Sequence, residues 1–295
     1  MAATRTSSAL AASGAERRKM WTFFASNVAA AIGRNPYKPP SEIAKFMWQR
    51  AAPEQYRAAS AHSPTAERDA VATAAVIEHA PLIEAQVAAP VARSRAELLS
   101  SLPESMPQVG RDAIVGEIAR KRGTQRETAV LDAMPARVDR RNDQFFRTFL
   151  WYTNAEGRAR MMVGGRVDGI AHDKDGVPYL VEAKHRHERL MVPVPDYEEV
   201  QCQTLMHVTK IHRCVLVQQV RKHGKLQADA LLLAAAEVMK GEKDGAIDHR
   251  HVTELEYSSA DWNEIQDALK AFAAKLDALV DDPARQERLL WNDEF

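Results

Sequence analysis

Between Gly164 and His185 the chain reads GGRVDGI, a short polar segment, then YLVEAKH, and this stretch constrains the fold more than any other. Side chains alternate across a β-strand, so Leu180, Glu182 and Lys184 point to one face and Tyr179, Val181 and Ala183 to the other. A turn through His172-Asp173-Lys174-Asp175-Gly176 closes a hairpin that brings Asp168 alongside Glu182. Two carboxylates and a lysine on adjacent strands make a hard-oxygen site for a divalent metal with an ammonium beside it. That layout suits cleavage of a phosphodiester. Taken alone, the triplet also fits a hairpin with a charged outer face, so the surrounding blocks have to decide.

A chain of 295 residues forms one large domain or two small ones and buries a sizeable core. Lys, Glu, Arg or Asp interrupts every apolar run before it reaches the length of a membrane span. Residues 1–18 are small, polar and basic, without the apolar stretch of a secretion signal, and read as a flexible tail. Cys202 and Cys214, the two cysteines, cannot build a disulfide framework or a four-thiolate cluster. They suit a reducing, intracellular setting, cytoplasmic or nuclear. His185, His187, His207 and His212 match no zinc spacing. The formal net charge of +0 argues against a broadly basic surface, yet basic residues gather locally at Arg120–Arg126, Arg137–Arg141, His185–Arg189 and Arg221–Lys225. Local positive potential is what a nucleic acid requires.

Periodicity and breakers give an α/β fold, a central mixed β-sheet flanked by helices, with a helical N-terminal part. Residues 19–295 read as one domain. Helices are expected near 16–32, near 42–50 with Ser41 as N-cap, over 110–133, over 196–209, at 228–240 and after Trp262. Strands are expected near 136–141, 144–152, 159–168, 178–184, at Cys214–Val217 and at 252–257. Residues 51–109 are Ala-rich with Pro at 53, 64, 81, 90, 103 and 107, an inserted helical region cut wherever proline forbids continuation.

Four blocks occur in a telling order: Ser26-Asn27 leading to Gly33 and Asn35-Pro36-Tyr37; Gly123 to Glu127; Asp168 to Glu182-Ala183-Lys184; and Tyr197, Gln201-Cys202-Gln203, Met206. Together they resemble the YqaJ-type viral recombinase nucleases, the lambda-exonuclease type within the PD-(D/E)XK superfamily. The resemblance runs from about Ser26 to Trp262, apart from the segment near 51–109. The spacing from Tyr197 to Gln201 is one residue longer than the family's.

The resemblance implies a deoxyribonuclease dependent on Mg²⁺, with Mn²⁺ able to substitute, acting on duplex DNA ends. Asp168, Glu182 and the Ala183 carbonyl would be metal ligands, and Glu127 would hold the same metal or a second ion through water. Lys184 would orient or deprotonate the attacking water, or steady the phosphorane. Gln201 matches the family's functional glutamine. DNA contacts would fall to Ser26, Arg122, Arg186, Tyr197 and Gln203. Ser26 would take the 5′-terminal phosphate, with Arg17, Arg18 and Arg34 supplying charge. A packing role at the helix start is the other reading of Tyr197, and an ordinary small helix residue that of Ser26. The family further implies a single-strand-annealing partner and a ring-shaped trimer. An endonuclease of the same superfamily, or a catalytically silent DNA-binding or assembly protein on the same scaffold, are the competing readings.

Overall fold

The computed structural model describes residues 20–61, 63–89, 93–132, 134, 138–140, 143–186, 189–223, 240–243 and 246–295. Strands β1 (Thr22–Phe24), β3 (Phe145–Asn154) and β4 (Gly157–Arg166) form a three-stranded sheet in the order β1-β4-β3. A six-stranded sheet runs β2-β5-β6-β7-β9-β8. Its members are β2 (Asp139–Arg140), β5 (Gly169–His172), β6 (Pro178–Arg186), β7 (Arg213–His223), β8 (Lys240–Lys243) and β9 (Ala246–Glu256). The sheet is mixed: β6 and β7 are parallel, while β5 and β9 run antiparallel to them.

A parallel pair needs a crossover, and α8 (Asp196–Thr209) supplies it between β6 and β7. Asp196, Glu198 and Glu199 in its first turn complement the helix dipole, and Lys210 ends it in the left-handed conformation. Leu180, Cys214 and Leu216 on one sheet face pack with Cys202, Leu205 and Met206 of α8. The opposite face presents Tyr179, Val181, Ala183, Val215 and Val217 to Val130 and Leu131 of α7 (Gln108–Asp132). The alternation expected for residues 179–184 is thus the boundary between two cores, and the layered α/β architecture with flanking helices follows from it.

The central sheet is nevertheless divided. The strand expected over 159–168 ends at Arg166, and Asp168 lies in the step between β4 of the small sheet and β5 of the large one. Two helices approach closely just before the step: a Cβ on Gly165 would lie 2.9 Å from both Ala25 Cβ and Leu205 Cδ2. The helix expected over 16–32 is likewise shorter. Residues 22–24 extend to pair with β4, and α1 occupies Ala25–Ala31. Ser41 is not an N-cap, because α2 (Pro40–Ala51) starts at Pro40 behind Pro39. The strands expected at Cys214–Val217 and 252–257 extend to the full lengths of β7 and β9, which pair with each other. Only Asp139–Arg140 of the strand expected near 136–141 is described as strand, and the helical run expected at 228–240 lies outside the described residues except Lys240, which is in β8.

Proline organises the helices after α2. α3 (Pro53–Ser60) and α4 (Pro64–Glu78) begin on proline, and α5 (Ala80–Ala88) carries Pro81 in its first turn. α6 (Arg95–Ser100) starts with a Ser94–Glu97 capping box. Ala75, Ile83, Val87, Leu98 and Leu102 gather around Ile114, Val115 and Ile118 of α7. The C-terminal helices α9 (Ser259–Asp281) and α10 (Pro283–Asn292) cover the small sheet through Trp262, Leu269, Phe272, Leu276 and Leu289. Among the described residues no helix is long and apolar enough to cross a membrane.

Candidate active site

Strands β5 and β6 pair with Gly169 opposite Val181 and Ile170 opposite Leu180, so the register one step further sets Asp168 against Glu182. The reversal is built by Asp173, whose Oδ1 accepts the Asp175 and Val177 N–H groups, and by Gly176 at φ 79°. Asp168 reaches past the strand end and accepts the Ala183 N–H on Oδ2 at 2.8 Å. Glu182 is 4% exposed, and its Oε1 accepts from Lys184 Nζ at 2.7 Å and from Gln201 Nε2 at 2.6 Å. Gln201 projects from α8, on the sheet face that Leu180 shares with Glu182 and Lys184. The hairpin and the crossover helix therefore converge on one carboxylate.

Burial raises both acids. Glu182 is pushed up to about 7 by burial and by the Asp168 charge, against the pull of Lys184. Asp168 is raised by burial and by Glu127, against its hydrogen bond from Ala183. Burial pulls Lys184 down, but the Glu182 carboxylate more than offsets it by charge and hydrogen bond, so Lys184 is held above its ordinary value as an ammonium. Glu127 on α7 is raised chiefly by burial and feels both Lys184 and Glu182. It belongs to the field of the site, while Val130 and Leu131 of the same helix pack on the other face of β6.

Among the described residues no group of three or more His, Cys, Asp or Glu side chains gathers as a metal cluster. The donor chemistry still fits Mg²⁺, which is held by one or two carboxylates and keeps several waters. Oδ1 of Asp168 and Oε2 of Glu182 have no hydrogen-bond partner among the described residues. Two adjacent carboxylates with raised proton affinity call for positive charge.

The residues expected at DNA divide. Ser26 is exposed in the first turn of α1, and Tyr197 is half-buried, edge-on to the exposed Tyr37. Gln203 does not face the site: it is buried, donating to the Glu256 carbonyl at 2.8 Å and accepting the Ser258 N–H at 2.9 Å, which ties α8 to the end of β9. Arg186 is engaged internally, with Glu198 at 2.5 Å and Gln218 at 2.8 Å. Arg122 is buried, donating to the Gln86 and Ala89 carbonyls at the end of α5. Arg34, expected near a terminal phosphate, forms a bidentate pair with Asp196. Arg17 and Arg18 lie outside the described residues.

Sequence reasoning passed over Glu198 and Gln218. Gln218 is fully buried opposite Lys184 in β7, and its amide holds Arg186 together with the Met191 N–H and carbonyl. A glutamine inside the apolar run CVLVQQV was the available signal, since a buried amide must find partners.

No protein-family model matches the sequence, and no curated protein matches it. Among solved structures, the chain is similar to an alkaline exonuclease (LHK-Exo) from Laribacter hongkongensis, with 16% identity over 63% of this chain and 88% of that one, at TM-score 0.33. The same enzyme in complex with dAMP matches at 15% identity, covering 63% and 87%, with TM-score 0.32. The structure of SSO0001 matches at 15% identity, covering 70% and 84%, with TM-score 0.31.

Proposed function

We propose that this chain is a metal-dependent deoxyribonuclease that hydrolyses linear duplex DNA from 5′ ends and leaves 3′ overhangs. The observation that carries the reading is the convergence of Asp168, Glu182, Lys184 and Gln201, with Glu182 Oε1 within 2.7 Å of the Lys184 ammonium. Asp168, Glu182 and the Ala183 carbonyl would hold Mg²⁺ or Mn²⁺, with Glu127 contributing from α7. The ion supplies Lewis-acid activation of water and neutralises charge at the phosphate. Lys184, kept as an ammonium, donates hydrogen bonds and positive charge to the phosphate oxygens; a base role would require it to lose that proton first. Gln201 holds the Glu182 carboxylate in place, and the Ala183 N–H does the same for Asp168.

The 5′-end preference is supported by the order of the sequence blocks and by the exposure of Ser26 at the start of α1. The same resemblance extends the proposal to a single-strand-annealing partner and a ring-shaped trimer. The test is incubation of purified protein with linear and closed-circular duplex DNA, with Mg²⁺ or with chelator. Degradation of linear duplex in Mg²⁺ alone, lost in Asp168→Ala and Glu182→Ala, is the expected result. Undiminished cleavage by either variant would overturn the site, and efficient cutting of closed circles would establish the endonuclease reading instead.

A further inference from the structure

A cavity of about 440 Å³ opens between α6, α7 and the end of β6, just past Lys184. One stripe of α7 forms its wall: Val115, Gly116, Ala119, Arg122, Gly123 and Arg126, spaced as one face of a helix. Glycine is the poorest ordinary helix former, and such a residue inside a long helix calls for a packing reason. Neither Gly116 nor Gly123 has one, since a Cβ at either position would meet no atom within 4 Å. The space they leave open is the cavity.

Its charge is one-sided: among the described residues that line it, several are arginine and none is acidic. Arg95 is compensated by Asp112 and Arg186 by Glu198. Arg122 is not: at 6% exposure it has two backbone carbonyls and, among the described residues, no carboxylate and no partner for its buried Nε. Burial and the neighbouring Arg126 both push its guanidinium below its ordinary value. Arg189 stands exposed at the mouth. Leu98, Val115 and Met191 add an apolar surface. The volume lies in the range of small-ligand pockets and is far too narrow for a duplex.

We infer that this cavity binds one nucleotide of a single DNA strand, its phosphate drawn to Arg122 and Arg189 and its base laid against Leu98, Val115 and Met191. An anion and a flat apolar group in adjoining positions match the way single strands are held, by a cationic groove with base contacts beside it. Gln86 of α5, Arg93, and Arg95 and Leu98 of α6 line it, so the proline-cut region contributes to this site beside the end of β6. The inference rests on the nucleic-acid reading above.

The test uses the full chain in chelator, where hydrolysis is absent, and a short oligothymidylate labelled at its 3′ end. Gly116→Leu fills the cavity, and Arg189→Gln removes charge at its mouth. Neither touches the Arg122 bonds to the end of α5, and melting temperatures identify a misfolded variant. The expected result is binding by the wild type, weakened about tenfold or more in each variant, with displacement by thymidine 5′-monophosphate. Wild-type affinity in Gly116→Leu would overturn the inference, as would displacement by inorganic phosphate as effective as that by the nucleotide. Hydrolysis of linear duplex in Mg²⁺ separates the two readings. Binding that Gly116→Leu abolishes, without any hydrolysis, sinks the nuclease and keeps this site. Hydrolysis that Asp168→Ala abolishes, with Gly116→Leu binding as wild type, does the reverse.

Discussion

Gln201 of α8 donates its amide to Glu182 of β6 at 2.6 Å, on the same carboxylate oxygen that Lys184 reaches at 2.7 Å. The crossover helix thereby fixes the rotamer of an acid that the strand alone would leave free to turn. Removing a partner that orients a reacting or metal-binding carboxylate commonly costs roughly 10–100-fold. Gln201→Ala is therefore expected to lower the single-turnover rate on linear duplex by about that factor while duplex affinity is kept. Gln201→Glu should be worse than alanine, because it sets a second carboxylate against Glu182. Equal loss of rate and of affinity in Gln201→Ala would place the glutamine at the DNA instead.

Asp168 and Glu182 hold two acidic groups together in a buried setting, and both stay raised despite the Lys184 ammonium, so a further cation should stabilise the fold. Mg²⁺ should raise the melting temperature; at about 100 times its dissociation constant the gain is roughly 2.7 kcal/mol. Glu182→Gln should respond little to Mg²⁺ and, because it leaves the buried Lys184 ammonium without its carboxylate, should melt no higher than the wild type in chelator. Thermal scans with and without the ion check both statements. A wild type indifferent to Mg²⁺ and Mn²⁺ would remove the basis for a metal at this pair.

What the sequence discloses here is whatever depends on local alternation. Glu182 and Lys184 share a face because a strand has period two, and Asp168 falls opposite Glu182 because the turn length sets the register. The step between sheets at Val167–Asp168 is different: it follows Gly165, onto which α1 and α8 crowd through residues far apart in the chain. The same holds for Arg186 and Gln203. Their types and positions fit DNA contacts, and only tertiary packing reveals that Glu198 and Glu256 lie within reach. Pattern reports which face a residue occupies, but not which partner waits on it.

Asp277 of α9 shows how far such partners can lie: it accepts Trp21 Nε1–H at 2.8 Å, the Tyr152 hydroxyl at 2.8 Å and the Asn154 amide at 2.6 Å. This buried carboxylate ties β3 and the residue before β1 to α9. Asp277→Ala strands three donors in the core and should cost roughly 3 kcal/mol or more, read as a lower urea midpoint with unchanged slope. Asp277→Asn, which keeps one carbonyl oxygen, should cost less. Equal stability of wild type and Asp277→Ala would show that water satisfies those donors.

His207 stacks on Trp262 with ring centroids 3.9 Å apart, and its Nδ1 lies 3.0 Å from the Tyr257 hydroxyl. Burial, with Lys210 and His212 nearby, lowers its pKa from 6.5 to about 4. The unfolded chain therefore takes up a proton from about pH 6.5 downward, while the folded protein declines it until about pH 4. Stability from this group is complete above the unfolded value and is lost as pH falls through that window. Glu182, raised to about 7, has the opposite slope from 7 down to 4.5, so the raw pH dependence mixes the two. A comparison with His207→Phe, which keeps a ring on Trp262, isolates the histidine. The wild type should lose stability relative to that variant between pH 6.5 and 4, measured by urea unfolding at each pH. A difference that stays constant across the window would mean that His207 ionises as freely in the folded protein as in the unfolded chain.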